Sequence, residues 1–193
     1  MFTGIIETTQ TVRKQETSEG VLSLEIVMPD GWQLALGQSI AVNGACLTVV
    51  SFDSDHFVVE LVPETLEKTI FGESVPTAVN LERAMLPTDR FEGHIVQGHI
   101  DTVGEVQSVL TQDNRYELAI SFTAPFTQLV VPKGSITIDG VSLTITNMTT
   151  DTFSVALIPH TLRETTLGTL REGDKVNLEF DIVGKYLVQK NRS

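Results

Sequence analysis

Two tight turns in the sequence are each followed by small polar residues that could do chemistry. They are Asn43-Gly44 with Cys46 and Thr48, and Asp139-Gly140 with Ser142 and Thr144. Asx-Gly pairs tolerate the positive φ angles of tight hairpin turns, and a spacing of two places both following side chains on one face of a strand. Such a face suits a thiol or hydroxyl that binds or attacks a ligand. The alternative is a buried free cysteine beside threonines that only favour β structure.

The segment from Gly93 to Ile100 carries two histidines, His94 and His99, which lie five residues apart between glycines. An imidazole can exchange protons near neutral pH, so one of these rings is a candidate general acid or base. The alternative is a pair of surface or capping histidines beside a linker.

Both turns belong to an internal repeat. Gly37–Gly72 aligns with Lys133–Gly168 at an offset of 96, over 36 positions without a gap and with 14 identities. At neighbouring offsets Gly4-Ile5-Ile6 aligns with Gly98-His99-Ile100, and Val79–Glu82 with Val176–Glu179. The sequence is therefore two copies of one module. The copies differ in chemistry at Ile5/His99, Asn43/Asp139, Cys46/Ser142 and Glu64/His160.

Each copy is predicted to be mostly β. Val21 to Met28 and Tyr116 to Phe122 alternate apolar and polar residues as half-buried strands do, and the threonine-rich stretch from Thr144 to Thr152 also favours strand. Several short strands per copy, whose edges must be closed, predict a small antiparallel barrel in each half.

Helical signal is limited to short segments. Glu64–Ile70 and Thr161–Leu167 each begin after a proline and end before a glycine. Met85–Phe91 is predicted to connect the barrels. Ile182–Val188 is predicted to form a short terminal helix that packs on the barrels or on another subunit.

Composition excludes several classes of function. The chain has 193 residues and 21.1 kDa, with 13 Lys+Arg against 25 Asp+Glu and a net charge of −12. It lacks the basic stripe that nucleic acids or anionic membranes require, since its longest basic cluster is Lys190–Arg192. No stretch matches a membrane span or a secretion signal. One cysteine and four scattered histidines predict neither a disulfide nor a metal site, so we expect a cytoplasmic protein without a metal, nucleic-acid or membrane partner.

Four long motifs occur in order along the chain, namely Met1–Glu7, Gly37–Val49, Gly93–Asp101 and Ile138–Thr144. Together they closely resemble the riboflavin synthase family of the α-chain type, whose members carry two lumazine-binding repeats. The resemblance runs from Met1 to about Tyr186, which is essentially the whole chain, and several long motifs in the same order make it specific.

The resemblance implies both a fold and a reaction. The fold is all-β in the main, with two similar six-stranded antiparallel Greek-key barrels at 1–97 and 98–184 and a short helical tail at 185–193. The reaction is a transferase step without cofactor, the last of riboflavin biosynthesis. Two molecules of 6,7-dimethyl-8-ribityllumazine exchange a four-carbon unit to give riboflavin and 5-amino-6-(ribitylamino)uracil. A reaction between two identical molecules needs two similar pockets, which a duplicated module provides.

The resemblance also implies an assembly. Three chains of this family associate, with the active site between the N-terminal barrel of one subunit and the C-terminal barrel of its neighbour. Association with lumazine synthase is a further expectation. The family's terminal helix usually runs longer than the segment after Asp181 allows here, so the sequence leaves the strength of the trimer open.

Carried over to matching positions, the resemblance assigns residues to two lumazine pockets. The first would be lined by Gly4, Ile5, Ile6, Ser39, Cys46, Leu47, Thr48, Glu60, Leu61, Val62, Pro63, Glu64 and Thr65. The second would be lined by Gly98, His99, Ile100, Lys133, Ser142, Leu143, Thr144, Ala156, Leu157, Ile158, Pro159, His160 and Thr161. We hypothesise that His99, with Ser142 and Thr144, handles the proton of the acidic 7-methyl group. Cys46 and Ser39 would position or activate the species that adds to the partner lumazine.

Two other functions compete with this interpretation. Relatives of the family bind lumazine or flavin as light-emission antennae without catalysis, but here the candidate catalytic residues are all in place. The flavin-binding barrel of a reductase shares a similar architecture, yet it would need a nucleotide-binding domain for which two barrels leave no room. The sequence leaves open which barrel holds the donor, how Cys46 acts and what the first nucleophile is.

Overall fold

The computed structural model describes residues 1–112 and 115–190 and folds the chain into two closed six-stranded barrels. The first barrel consists of β1 (Thr8–Ser18), β2 (Val21–Val27), β3 (Ser39–Val42), β4 (Ala45–Phe52), β5 (His56–Leu61) and β6 (Ala78–Arg83). The second consists of β7 (Thr102–Gln112), β8 (Arg115–Ser121), β9 (Ser135–Ile138), β10 (Val141–Met148), β11 (Thr152–Leu157) and β12 (Lys175–Phe180). Both barrels have the same strand order, β1-β2-β5-β4-β3-β6 and β7-β8-β11-β10-β9-β12. The predicted pair of antiparallel barrels is therefore confirmed.

The alternating sequence of β2 shows why these segments form barrel walls. Leu22, Leu24 and Ile26 are at most 5 % exposed, while the residues between them are half-buried. Burying a side chain of this size stabilises the fold by about 1.5–3 kcal/mol. Each barrel encloses its own apolar core, so the two repeats fold around separate centres. The strand predicted from Tyr116 to Phe122 is found as β8, and the strand within the predicted Thr144–Thr152 stretch ends at Met148.

Short helices follow β5, β11 and β12, where the sequence predicts them. They are α1 (Pro63–Lys68), α2 (Pro159–Glu164) and α3 (Ile182–Lys190). A 3₁₀ turn continues each of the first two, at Ile70–Gly72 and Thr166–Thr169. At the start of α3, Asp181 accepts a hydrogen bond from the backbone of Val183 at 2.9 Å, and Lys185 pairs with Asp101 at 2.7 Å. Residues 191–193 of the predicted tail, which include the end of its basic cluster, lie outside the described residues.

The two Asx-Gly turns meet back to back where the barrels join. Asn43 and Gly44 have φ of 44° and 80°, and Asp139 and Gly140 have φ of 46° and 80°, as the sequence predicts for these turns. A Cβ atom on Gly44 would lie 2.7 Å from the backbone nitrogen of Gly140. The contact is reciprocal and relates the two repeats by an approximate two-fold axis.

Two buried asparagines at equivalent positions link the barrels across this axis. Asn80 donates its amide to the carbonyl of Asp139 at 3.0 Å, and Asn177 donates to the carbonyl of Asn43 at 2.9 Å. Their amide oxygens accept from the backbone of Thr166 and Ile70, both at 2.8 Å. Buried hydrogen bonds of this kind are costly to break, so they fix the relative placement of the barrels.

Burial raises the pKa of Asp139 to about 7 from its usual 3.8, although the backbone N–H of Asn177 partly opposes this. Asn43 occupies the equivalent position in the first barrel, where its side-chain oxygen accepts the backbone N–H of Asn80 at 2.7 Å. The first repeat therefore shows that an amide fits the position without a charge.

Asp139→Asn is expected to make folding less dependent on pH. The raised pKa means that the folded state binds the proton more tightly than the unfolded chain, so the free energy of unfolding falls as pH rises from about 4 to about 7. The variant lacks this pH-dependent component. Between pH 4 and pH 8, the difference in the free energy of unfolding between the two proteins should therefore shift in favour of the variant by roughly 2–4 kcal/mol. Denaturant unfolding at both pH values measures the difference. A wild type and variant with parallel pH profiles would contradict the prediction.

Candidate active site

The segments before each barrel cross to the opposite barrel. The first crossing segment (residues 2–6) brings Gly4 against Ser142, whose backbone N–H donates to the Gly4 carbonyl at 2.7 Å. The second crossing segment (residues 93–100) brings Gly98 against Cys46, whose N–H donates to the Gly98 carbonyl at 2.9 Å. The two segments also pair with each other through an antiparallel bridge between Phe2 and Val96.

Both crossing glycines are required by close approach as well as by conformation. Gly4 and Gly98 have φ of 77° and 80°. A Cβ atom on Gly4 would lie 2.7 Å from the Cβ of Ser142, and one on Gly98 would lie 2.5 Å from the Cβ of Cys46. The pocket lining carried over from the resemblance grouped Gly4 with Cys46 and Gly98 with Ser142, whereas within one chain Gly4 lies against Ser142 and Gly98 against Cys46. Each crossing segment contributes to the site of the other barrel.

The first barrel carries a cavity of about 380 Å³ beside Cys46. Its lining comprises Ala45, Cys46, Glu64, Thr65, Lys68, Thr69, Gly98, His99 and Ile100. The cavity volume lies within the usual range for small-molecule sites. Its lining brings together the half-buried thiol of Cys46, the exposed imidazole of His99 and the start of α1.

The second barrel carries a histidine–serine pair. Nδ1 of His94 lies 2.8 Å from Oγ of Ser142, and the backbone N–H of His94 donates to the carbonyl of Thr3 at 3.1 Å. Burial lowers the pKa of His94, against a smaller opposing effect of Asp181. The ring is therefore held neutral near pH 7, which suits a proton acceptor.

The structure thus assigns the two histidines to different sites. His94 contacts Ser142, whereas His99 lies in the cavity with Cys46. Our hypothesis paired His99 with Ser142, and the predicted pocket linings did not include His94. The sequence signal was the same glycine-flanked segment, and spacing alone does not say which ring reaches which barrel.

The polar faces predicted on the two strands are confirmed. In β4 the polar positions Cys46 and Thr48 are half-buried and exposed, whereas Leu47 between them is buried. Ser39 on β3 is the direct partner of Thr48 across the sheet, at the same outer face. In β10, Ser142 and Thr144 repeat the arrangement.

The other predicted pocket residues fall into three groups by exposure. Side chains that face the barrel cores can offer a ligand only their backbone, and these are Leu47, Leu61 and Leu157. Side chains at the surface are Ile5, Glu60, Val62, Pro63, Glu64, Lys133, Ala156, Ile158, Pro159 and His160. Those of intermediate exposure are Ile6, Thr65, Leu143 and Thr161. Ile100 belongs to the first group, because its side chain is buried in the core of the first barrel.

A larger cavity of about 500 Å³ lies at the junction between the barrels and is lined by none of the predicted site residues. Its walls come from equivalent positions of both repeats, among them Asn43 with Asp139 and Ile70 with Thr166. Volume alone therefore does not select the chemically equipped site.

Within residues 1–112 and 115–190, no three His, Cys, Asp or Glu side chains are grouped so that they could hold a metal ion. The helices of this part of the chain are also too short or too polar to cross a membrane.

Comparison with known proteins decides the family. A lumazine binding domain matches the chain twice, at residues 3–84 and 97–181, which are the two barrels. Riboflavin synthase of Actinobacillus pleuropneumoniae is 44% identical over 98% of this chain and 89% of its own length. The chain belongs to the riboflavin synthase family. Another riboflavin synthase, from Bacillus subtilis, is 42% identical over 97% of this chain and 88% of its own length.

Solved structures of LumP share the fold of this riboflavin synthase family member. One is a complex with 6,7-dimethyl-8-(1'-D-ribityl) lumazine, with a TM-score of 0.83 and 25% identity over 93% of this chain and 99% of LumP. Another is a complex with riboflavin, with a TM-score of 0.85 and 26% identity over the same shares. LumP is more distant in sequence than the riboflavin synthases compared above.

Proposed function

We propose that the chain converts two molecules of 6,7-dimethyl-8-ribityllumazine into riboflavin and 5-amino-6-(ribitylamino)uracil. The observation that carries the proposal is a pair of related sites with unlike chemistry on duplicated barrels of a riboflavin synthase family member. Related sites bind identical molecules, and unlike side chains let one molecule act as donor of four carbons and the other as acceptor. No redox cofactor is needed, because the atoms of the two substrates equal those of the two products.

The second barrel supplies the proton acceptor. His94 and Ser142 would remove a proton from the 7-methyl group of one lumazine, since the buried ring is neutral and in contact with the serine hydroxyl. Such general base catalysis contributes about 10²–10⁴-fold to rate. Thr144, two residues along the same outer face, would bind the ribityl chain.

The first barrel holds the partner lumazine. Cys46 and His99 line its cavity and would position or activate the species that adds to this molecule, with Ser39 at the edge beside Thr48. Backbone groups of the crossing segments suit the polar edge of the heterocycle. Bringing both rings into register makes the bimolecular step effectively unimolecular, which can be worth roughly 7–11 kcal/mol.

A homotrimer would complete the site by placing the first barrel of one subunit against the second barrel of its neighbour. Helix α3 supports an assembled state, because Val183, Tyr186 and Leu187 expose 52–73% of their surface as an apolar patch on a single chain. We expect the purified chain to sediment as a trimer. Sedimentation equilibrium over a range of concentrations measures this.

We also propose that the protein is located in the cytoplasm. We further propose that it associates with lumazine synthase, which co-elution of the two proteins tests.

Incubation of the purified chain with the lumazine tests the function. The expected result is catalytic formation of riboflavin, seen by its absorbance, with two lumazines consumed for each riboflavin. The alternative is an antenna-type binding protein, for which the lumazine complex of LumP is the precedent. Tight, stoichiometric binding without turnover would favour that alternative and overturn the proposal.

A further inference from the structure

Glu82 on β6 is a buried carboxylate that holds the first crossing segment. One of its oxygens accepts hydrogen bonds from the backbone N–H and the hydroxyl of Thr3, at 2.7 and 3.0 Å. The other accepts the N–H of Gly4 at 3.0 Å. The residue is only 5% exposed, so these three hydrogen-bond donors, rather than water, stabilise its negative charge.

These hydrogen bonds form part of a closed ring that includes the catalytic pair. The Thr3 carbonyl accepts the N–H of His94, whose ring contacts the Ser142 hydroxyl. The Ser142 N–H returns to the carbonyl of Gly4, whose own N–H is bound by Glu82. A shift of the carboxylate therefore moves both members of the pair, although Glu82 lies on the first barrel and Ser142 on the second.

Glu179 on β12 is the equivalent residue of the second repeat and holds the second crossing segment. It is 1% exposed and accepts backbone N–H groups from Gln97, Gly98 and His99 at 2.7, 2.9 and 3.2 Å. Gly98 is the residue whose carbonyl binds the backbone of Cys46. Glu179, on the second barrel, thus orders the Cys46 and His99 site of the first barrel.

The carboxylate form is needed because both oxygens of each side chain accept hydrogen bonds from backbone N–H groups. Burial raises the pKa of Glu82 and of Glu179, and the hydrogen bonds from the crossing segments oppose this. A glutamine at either position would turn an N–H₂ group, itself a donor, toward one of the N–H groups. One hydrogen bond would be lost and the segment would shift.

We propose that Glu82 and Glu179 are positioning residues, each of which fixes the reactive side chains in the site of the opposite barrel. The proposal rests on the function proposed above. Both carboxylates are nearly fully buried, and each acts through the main chain of a crossing segment. The two sites are therefore adjusted from opposite barrels by a matched pair of residues.

Histidine side-chain NMR tests the positioning without any need for turnover. The chain has four histidines, His56, His94, His99 and His160, so their ¹⁵N-labelled rings can be resolved singly. Glu82→Gln is expected to shift the ring signals of His94 and leave those of His99 unchanged. Glu179→Gln is expected to do the reverse. Equal disturbance of both rings by either variant, or of neither, would overturn the proposal.

A double-mutant cycle carries the same test into catalysis. Glu82→Gln alone is expected to lower kcat about 10- to 100-fold, because small displacements of reacting groups cost up to about 10²-fold. In a His94→Ala background it should cost less than about threefold, since the His94–Ser142 pair that it positions is already broken. Glu179→Gln should lower kcat by the same factor in the His94→Ala background as it does in the wild type. Multiplicative loss for Glu82→Gln would contradict the inference.

A milder variant guards against failure to fold. Thr3→Val removes the hydroxyl, which donates to Glu82 and accepts the Ile5 N–H at 3.4 Å, and it keeps both backbone hydrogen bonds to Glu82. It is expected to shift the NMR signals of His94 in the same direction as Glu82→Gln but by less. Unchanged His94 signals would count against the closed ring of hydrogen bonds. If the wild-type chain forms no riboflavin, the proposed function fails while the NMR result still decides the positioning.

Discussion

Replacing His94 by glutamine is expected to lower kcat for riboflavin formation about 10²–10⁴-fold, the range typical of a lost general base. The ring is 8% exposed and its Nδ1 lies 2.8 Å from the Ser142 hydroxyl. Glutamine keeps a polar side chain of similar length but cannot take up a proton near neutral pH. Lumazine affinity should change far less than kcat. Steady-state kinetics combined with equilibrium binding of the lumazine measures the two effects separately.

His56→Gln is the matched control for that substitution. His56 begins β5 of the first barrel, where its ring lies between Asp53 and Glu25, and none of the proposed site contacts involve it. Its kcat should stay within about threefold of the wild type. A His94 variant that also stayed within threefold would remove the histidine–serine pair from the mechanism.

Gly140→Ala is expected to cost about 2–5 kcal/mol in the free energy of unfolding. The new methyl group would lie 2.8 Å from the backbone nitrogen of Gly44 and 2.9 Å from its Cα, and backbone cannot move aside as a flexible side chain can. Overpacking costs about 1–3 kcal/mol, and the positive φ adds about 1–2 kcal/mol. The melting temperature should fall by about 4–20 °C for a chain of this size, which circular dichroism measures.

Gly37→Ala separates the two causes. Gly37 has the same φ of 80°, but nothing lies within 4 Å of the Cβ that alanine would add. It should therefore lose only the conformational part, about 1–2 kcal/mol. Equal losses in the two variants would show that the contact between the turns does not hold the barrels together.

Much of the fold follows from local pattern. The two Asx-Gly turns, the alternating strand at Val21–Val27 and the helices after Pro63 and Pro159 depend on residues close together in the chain. Backbone conformation and side-chain alternation at such positions are decided by neighbours within a few residues. The 96-residue repeat then required both halves to share one topology.

The site was predicted only in part, because its contacts join distant residues. Cys46, Thr48, Ser142 and Thr144 lie on the outer faces that their spacing indicates. The pairing of His94 with Ser142 instead spans 48 residues, and it requires a crossing segment to reach the opposite barrel. Nothing in the alignment of the repeats distinguishes a segment that stays with its own barrel from one that crosses.

The sequence by itself determined the duplication, the barrel class and the chemically unlike pairs such as Cys46 and Ser142, since each is a property of residue type and spacing. Only the tertiary structure decided which segment completes which site. That choice depends on how the barrels dock at Gly44 and Gly140 and on where Glu82 and Glu179 hold the crossing segments. These are close approaches and buried hydrogen bonds between residues about 80–100 positions apart, for which a periodic pattern carries no information.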